Sequence, residues 1–188
     1  MKRQIEIQTE LLVKLSNNQI LLEKIEKTII LISESLDKNL PLLVCGNGGS
    51  ASDALHISGE LVGKFNLERK ARNVICLNAN TTVITAWSND KDYDSVFARQ
   101  VEAHGGPGAI CWGLSTSGNS QSIILAFEAA KRMGMITIGM TGEGGGKLAL
   151  VSDILIDVPS VVTPRIQELH LPIYHYICEQ VEARICTP

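Results

Sequence analysis

The sequence lacks the features of several protein classes. Its five cysteines form no Cys-x-x-Cys pair and no zinc-ribbon spacing, and an odd count in 188 residues is unlike a disulfide-stapled secreted scaffold. No apolar run is long enough to cross a bilayer, and residues 1–6 have no apolar core of the signal-peptide type. The formal net charge of −3 argues against a nucleic-acid groove or a polybasic membrane anchor. We therefore expect a cytoplasmic protein with reduced thiols and no nucleic-acid or membrane partner.

The composition that is present, 45% hydrophobic with 16 glycines, suits one globular α/β domain spanning residues 1–188. In residues 3–37, apolar side chains recur mostly three, four or seven positions apart. This spacing predicts one or two amphipathic helices, with a break at Asn17–Asn18. Because so long an apolar stripe needs a partner surface, we expect residues 1–37 to pack on the domain and on another subunit.

In residues 38–188, short apolar runs alternate with helical patterns. Such alternation predicts an α/β core, with a five-stranded parallel sheet flanked by helices on both faces. The last predicted helix runs from about Pro164 to Arg184. The predicted strands are Leu42–Cys45, Val74–Leu77, Ala109–Leu114, Met135–Met140 and Ile154–Val158.

Two predicted strands lead into loops of small polar residues, Gly46–Ser50 and Ser115–Ser120, each followed by a helix. A helix N-terminus at the carboxyl end of a parallel strand suits a phosphate group. Turn formation and capping would also explain such loops, but the second holds four hydroxyls where capping needs one or two. Neither loop is a Walker A motif, and the first lacks the third glycine of the dinucleotide fingerprint, which disfavours a nucleotide-binding protein.

Two predicted helices carry titratable side chains. His56 and Glu60 are four residues apart on the helix after the first loop. They could be metal ligands, an acid and a base, or an ordinary surface ion pair, and spacing alone favours the ion pair. The last helix adds four polar residues, Gln167, Glu168, His170 and His175.

Spacing on the last helix favours Glu168 as the partner of His175. At ~100° per residue, Glu168 lies about 20° from His175 around the helix axis and Gln167 about 80°. Pro172 lies between them and removes the hydrogen bond to the carbonyl of Glu168, so it is predicted to kink the helix there.

Together these motifs resemble the sugar isomerase (SIS) family, and within it the phosphoheptose isomerases. The likeness runs from about residue 40 to residue 185. The matching segments are Cys45–Ser50, His56-x-x-x-Glu60-Leu61-x-Gly63, Asn89-Asp90, Ser115–Ser120, Thr141-Gly142 with Gly144–Gly146, Arg165–Glu168 with His170, and His175.

The resemblance implies a role for each matching residue. It implies one zinc ion per subunit, held by His56, Glu60, Gln167 and His175, and so selects Gln167 over Glu168. Glu60 and His175 would be the acid/base pair, and the protein would be a homotetramer. The implied substrate contacts are Asn47, Gly48, Gly49, Glu60, Asn89, Asp90, Ser115, Thr116, Ser117, Ser120 and Gln167.

The implied activity is an aldose–ketose isomerisation of sedoheptulose 7-phosphate to glycero-manno-heptose 7-phosphate, the first step of nucleotide-activated heptose synthesis. Glu60 would carry the proton between C1 and C2, and His175 would shuttle the oxygen proton. Zinc or nearby donors would stabilise the enediolate. Two positions depart from some family members, with Lys64 in place of Arg and Pro164 in place of an acidic residue.

Two alternatives belong to the same fold. One is a non-catalytic SIS adaptor that binds a replication initiator protein, and the other is an isomerase of a different sugar phosphate. Adaptors of that kind lack the full set of four ligand positions, all of which are filled here. The complete set therefore favours an enzyme.

Overall fold

The computed structural model describes residues 1–186, in which helices and strands alternate after a helical N-terminus. Each predicted strand is present, with both ends within one residue of the prediction. The elements are α1 (Lys2–Ser16), α2 (Gln19–Asp37), β1 (Leu42–Gly46), α3 (Gly49–Val62), β2 (Val74–Cys76), α4 (Thr81–Asp90), α5 (Val96–His104), β3 (Ile110–Leu114), α6 (Gln121–Arg132), β4 (Ile136–Thr141), a 3-10 helix (Gly146–Leu150), β5 (Ile154–Asp157) and α7 (Thr163–Cys186).

The five strands form one parallel sheet in the order β2-β1-β3-β4-β5. The order reverses at β1, because β2 pairs with one of its edges and β3 with the other. In open parallel sheets such a reversal opens a crevice at the carboxyl ends of the two diverging strands, where ligands bind. The two Gly/Ser loops follow β1 and β3, so both lie at this crevice.

Helices cover both faces of the sheet and define two apolar cores. On one face α2, α3 and α7 pack around buried side chains that include Ile32, Trp112 and Tyr174. On the other face α5 and α6 pack around Phe97 and Phe127. Because both faces are covered, the strands are mostly apolar, which explains why their positions could be predicted from the sequence.

The predicted break in the N-terminal segment is confirmed, because α1 ends at Ser16 and α2 begins at Gln19. Asn18 caps α2, its side chain accepting from the N–H of Leu21 at 3.1 Å. The two helices differ in burial: α2 buries a stripe that includes Ile29, whereas α1 buries no residue and leaves Ile5 56% exposed. Packing of α1 on another subunit stays a prediction.

Among the residues described, no helix is both long and apolar enough to span a membrane. The cysteines are free thiols: Cys186 is partly exposed, and the other four are buried, namely Cys45, Cys76, Cys111 and Cys178. The last helix, α7, runs unbroken through Pro172, whose ring is exposed. A kink at Pro172 stays a prediction.

Candidate active site

Helices α3 and α7 bring three titratable side chains together beside the crevice. His56 and Glu60 lie one turn apart on α3, with His56 Nε2 2.9 Å from Glu60 Oε1. His175 of α7, 119 positions along the chain from His56, places its Nε2 3.4 Å from His56 Nε2. Three of the four ligands implied by the resemblance are therefore in one cluster.

This cluster has the donor set of a zinc site. One ligand atom from each of His56, Glu60 and His175 lies within 4.8 Å of the others. Two imidazole nitrogens and a carboxylate oxygen are typical zinc ligands. The His56 and Glu60 side chains are 43% and 23% exposed, so an ion can reach them from solvent. The residues present therefore fit a zinc ion.

Gln167 and Glu168 are adjacent on α7 but lie in different surroundings. The side-chain amide of Gln167 lies against Gly49, where an added Cβ would overlap it, at the start of α3. Glu168 pairs with Arg165 at 2.6 Å and lines a cavity with the N-terminal turns of α1. The angle of a residue around the α7 axis does not determine its contacts, because the neighbouring helices α3 and α1 decide what each side chain meets.

The sequence did not predict Tyr174, which contacts the cluster, or Asp53, which bonds to Tyr174. The buried hydroxyl group of Tyr174 lies 3.1 Å from His56 Nδ1 and donates to Asp53 Oδ1 at 3.4 Å. Burial raises the pKa of Tyr174, so its hydroxyl stays protonated. With a proton on His56 Nδ1 donated to Tyr174, Nε2 would keep its lone pair for a metal ion. One feature of the sequence could have indicated this contact: Asp53 lies three residues before His56, on the same face of the helix.

The first loop turns sharply, and its Asn47 side chain already has hydrogen-bond partners. Gly48 adopts φ +56°, a conformation that favours glycine, immediately before α3. Asn47 Nδ2 donates to Ser122 Oγ at 2.9 Å, and Asn47 Oδ1 accepts from the Tyr93 hydroxyl at 2.5 Å. Since Ser122 belongs to α6 and Asn47 follows β1, this side chain bridges the crevice.

The hydroxyls of the second loop bond locally and keep further donor and acceptor capacity. Ser115 Oγ and Ser120 Oγ lie 2.9 Å apart, and Ser117 Oγ accepts from the N–H of Asn119 at 3.1 Å. Ser120 occupies the N-cap position of α6, yet its side chain makes no capping bond. The first N–H groups of a helix have no partner within the helix, so this end of α6 can bind an anion.

The remaining implied contacts lie on the rim. Thr116 accepts through its carbonyl from the N–H of Gly142 at 3.0 Å, which joins the loops after β3 and β4. Asn89 and Asp90 are exposed at the end of α4 and bond to each other, Asn89 Nδ2 donating to Asp90 Oδ1 at 2.9 Å. The connection after α4 carries Tyr93, so this rim meets the first loop.

His170, the other histidine of the α7 motif, is not in the cluster. It is fully buried and its Nε2–H donates to the Thr141 carbonyl at 3.2 Å, at the end of β4. Burial lowers the pKa of His170 to about 4, so the ring is neutral at neutral pH. His170 therefore joins α7 to the carboxyl end of β4.

Comparison with known proteins agrees with this arrangement. The SIS domain family model matches residues 8–142. A phosphoheptose isomerase from Crocosphaera subtropica is 51% identical over 161 residues, which cover 86% of this chain and 82% of that protein. Among solved structures, a phosphoheptose isomerase from Francisella tularensis has a TM-score of 0.92 and 31% identity, covering 97% of this chain and 96% of that one. One from Neisseria gonorrhoeae has a TM-score of 0.87 and 35% identity, covering 97% and 98%. The chain therefore belongs to the phosphoheptose isomerase family of SIS-domain proteins.

Proposed function

We propose that the protein is an aldose–ketose isomerase that converts sedoheptulose 7-phosphate to glycero-manno-heptose 7-phosphate. The observation that carries this proposal is the cluster of His56, Glu60 and His175 beside a crevice whose other wall is the uncapped serine loop. The first group of side chains can move protons and the second can bind a phosphate. The names of the relatives at about half identity support the same reaction and substrate.

The phosphate end of the substrate fits the loop Ser115–Ser120. Hydroxyls and helix N–H groups bind a phosphate dianion without having to lose or gain a proton themselves. Asn47, Gly48 and Gly49, with Asn89 and Asp90 on the rim, would hold the sugar hydroxyls. This placement directs the carbonyl end of the sugar toward Glu60 and His175.

The isomerisation needs a proton to leave one carbon beside the carbonyl and to return to the next. The Glu60 carboxylate would take the C2 proton of one isomer and deliver it to C1, or the reverse, and the His175 imidazole would move the proton between the two oxygens. Since His175 touches His56 at 3.4 Å, the two helices hold these groups on one side of the sugar. His56, Glu60, Gln167 and His175 would hold one zinc ion per subunit. A histidine nitrogen bound to zinc cannot transfer a proton, so the ion is either structural, or it stabilises negative charge on oxygen as a Lewis acid while His175 leaves the ligand set.

We also propose that the protein is a cytoplasmic homotetramer in which residues 1–37 provide part of the interface and residues 38–188 the α/β core. The support is the amphipathic helix α1, whose apolar residues Ile5 and Val13 are 56% and 53% exposed. Light scattering on the purified protein measures the subunit number, and a monomer at micromolar concentration would contradict this part.

The direct test is incubation with sedoheptulose 7-phosphate, with the product followed by NMR, in the presence and absence of a chelator. We expect the aldose product, with deuterium incorporated at C2 in D2O. Absence of product from zinc-replete protein would contradict the proposal. Faster turnover of a different ketose phosphate would assign the site to another sugar, and tight binding to a replication initiator without turnover would favour the adaptor.

A further inference from the structure

Residues 63–70, the first part of the connection between α3 and β2, are bound to α7 by a buried carboxylate. Glu182, whose side chain is 1% exposed, accepts from three successive backbone N–H groups, those of Phe65 at 2.8 Å, Asn66 at 2.5 Å and Leu67 at 2.8 Å. Its Oε1 also accepts from Arg69 Nε at 3.0 Å. Burial raises the pKa of Glu182, but these N–H groups and Arg69 outweigh it and hold the pKa below its ordinary value.

The other nitrogens of Arg69 reach the end of the helix that carries Glu60. The side chain is 3% exposed, and it donates from Nη1 to the Leu61 carbonyl and from Nη2 to the Glu60 carbonyl, both at 2.9 Å. These carbonyls belong to the last turn of α3, where they have no partner within the helix. A planar guanidinium can bind a carboxylate and two carbonyls at once, whereas a lysine amine cannot reproduce this geometry.

The same connection also touches the second member of the proposed acid/base pair. The Phe65 ring packs against the His175 ring with centroids 5.8 Å apart and an interplanar angle of 61°. His175 and Glu182 are seven residues, about two turns, apart and so lie on one face of α7. Residues 63–70 therefore contact Glu60 through Arg69 and His175 through Phe65.

We propose that Arg69 and Glu182 are positioning residues of the isomerase, which hold Glu60 and His175 at their reactive separation through the 63–70 connection. This inference rests on the proposed function. A buried ion pair is seldom a better source of stability than apolar side chains of the same size. Here, however, one end of the pair bonds to the backbone of the proposed base.

The test compares Arg69→Lys with Arg72→Lys. Arg72 is a matched control, since it lies farther along the same α3–β2 connection and also donates to an α7 carbonyl, that of Ile185 at 2.9 Å, but has no contact with Glu60. We expect Arg69→Lys to lower kcat by about tenfold to 10²-fold with KM for sedoheptulose 7-phosphate within about twofold, because misplacement affects the chemical step. Arg72→Lys should keep the wild-type kcat. Circular dichroism establishes that each variant is folded.

A second readout does not depend on turnover. Zinc affinity, measured by competition with a chromogenic chelator, should fall about tenfold in Arg69→Lys and in Glu182→Gln, as expected when the support of a ligand is disturbed. It should not change in Arg72→Lys.

The outcomes separate the two proposals. Wild-type kcat in Arg69→Lys, or equal losses in Arg69→Lys and Arg72→Lys, would overturn the positioning role while leaving the isomerase intact. A wild type that binds zinc but turns nothing over would refute the proposed function, and the zinc affinities would then decide the positioning role. A wild type that does neither would refute both.

Discussion

Two groups of side chains at the candidate site differ in their chemistry. The first, the titratable half, consists of His56, Glu60 and His175 on α3 and α7, in contact with one another and partly open to solvent. The second, the uncharged half, consists of the hydroxyls of Ser115, Ser117 and Ser120 after β3, with the Thr141–His170 pair at the end of the neighbouring strand β4.

This difference matches the two demands of a sugar-phosphate isomerase. Groups that transfer protons must change their charge during the reaction, whereas groups that bind the phosphate must keep theirs constant. The contrast therefore predicts that substitutions in the titratable half act on kcat. Substitutions in the uncharged half should act on KM or on stability.

The largest effect is expected from Glu60→Gln in the titratable half. An amide cannot accept the carbon-bound proton, so kcat should fall by about 10²- to 10⁴-fold with little change in KM. Steady-state kinetics with sedoheptulose 7-phosphate measure this, and the exposed Glu179→Gln on α7 is the control. Retained turnover in Glu60→Gln would remove Glu60 from the proton transfer.

The next effect is a pH dependence of stability that originates in the uncharged half. The pKa of His170 is lowered from 6.5 to about 4 in the folded chain. Between these values the unfolded chain binds the proton and the folded chain does not. The stability from neutral His170 is therefore complete above pH ~6.5 and is lost as pH falls toward 4, by roughly 3 kcal/mol.

Urea unfolding at several pH values, in wild type and in His170→Gln, measures this term. Glutamine can still donate to the Thr141 carbonyl but does not titrate. Between pH 6.5 and 4 the free energy of unfolding of the wild type should therefore fall relative to that of His170→Gln. If the free energy of unfolding changed with pH equally in both proteins, His170 would not be held neutral by burial.

A smaller effect is expected from Ser120→Ala. A hydrogen bond to a charged group contributes roughly 1.5–3 kcal/mol, so KM should rise about tenfold or more while kcat changes little. Inhibition by inorganic phosphate should weaken in parallel. Ser16→Ala in α1 is the matched control, and a fall in kcat at unchanged KM would place Ser120 in the chemical step instead.

The smallest effect distinguishes the neighbours Gln167 and Glu168. Gln167→Ala should lower zinc affinity by about tenfold, whereas Glu168→Ala should leave it unchanged and lower stability by only ~0.5 kcal/mol, the value of a partly exposed ion pair. Chelator competition and urea unfolding measure the two quantities. If Glu168→Ala lowered zinc affinity and Gln167→Ala did not, Glu168 would be the metal ligand, as helix spacing alone suggested.

Much of the fold could be predicted because its signals are local. Strands buried on both faces are mostly apolar, and Asn17–Asn18 interrupts a regular helical repeat. The 3-10 helix Gly146–Leu150 was not predicted. It is set up by Gly145 at φ +71° and by the N–H of Leu148 donating to the Gly118 carbonyl, a contact invisible to a local pattern.

The candidate site was only partly predictable for the same reason. His56 and Glu60 share a helix turn, so spacing alone brought them together. Tyr174 and the Arg69–Glu182 pair depend on how α7 crosses α3 and the 63–70 connection, and these partners are more than 110 positions apart. Physical rules for one helix do not determine which neighbour its side chains meet.

The four buried thiols, three in the sheet and one in α7, affect how readily the protein is chemically modified at cysteine. Only the thiolate form of cysteine reacts readily with oxidants and alkylating agents, and burial raises the pKa of the Cys178 thiol. Burial therefore shields all four thiols from reagents, while Cys186 stays partly exposed. Modification of the other four requires the core to open, so the rate at which they acquire a label measures how often it opens.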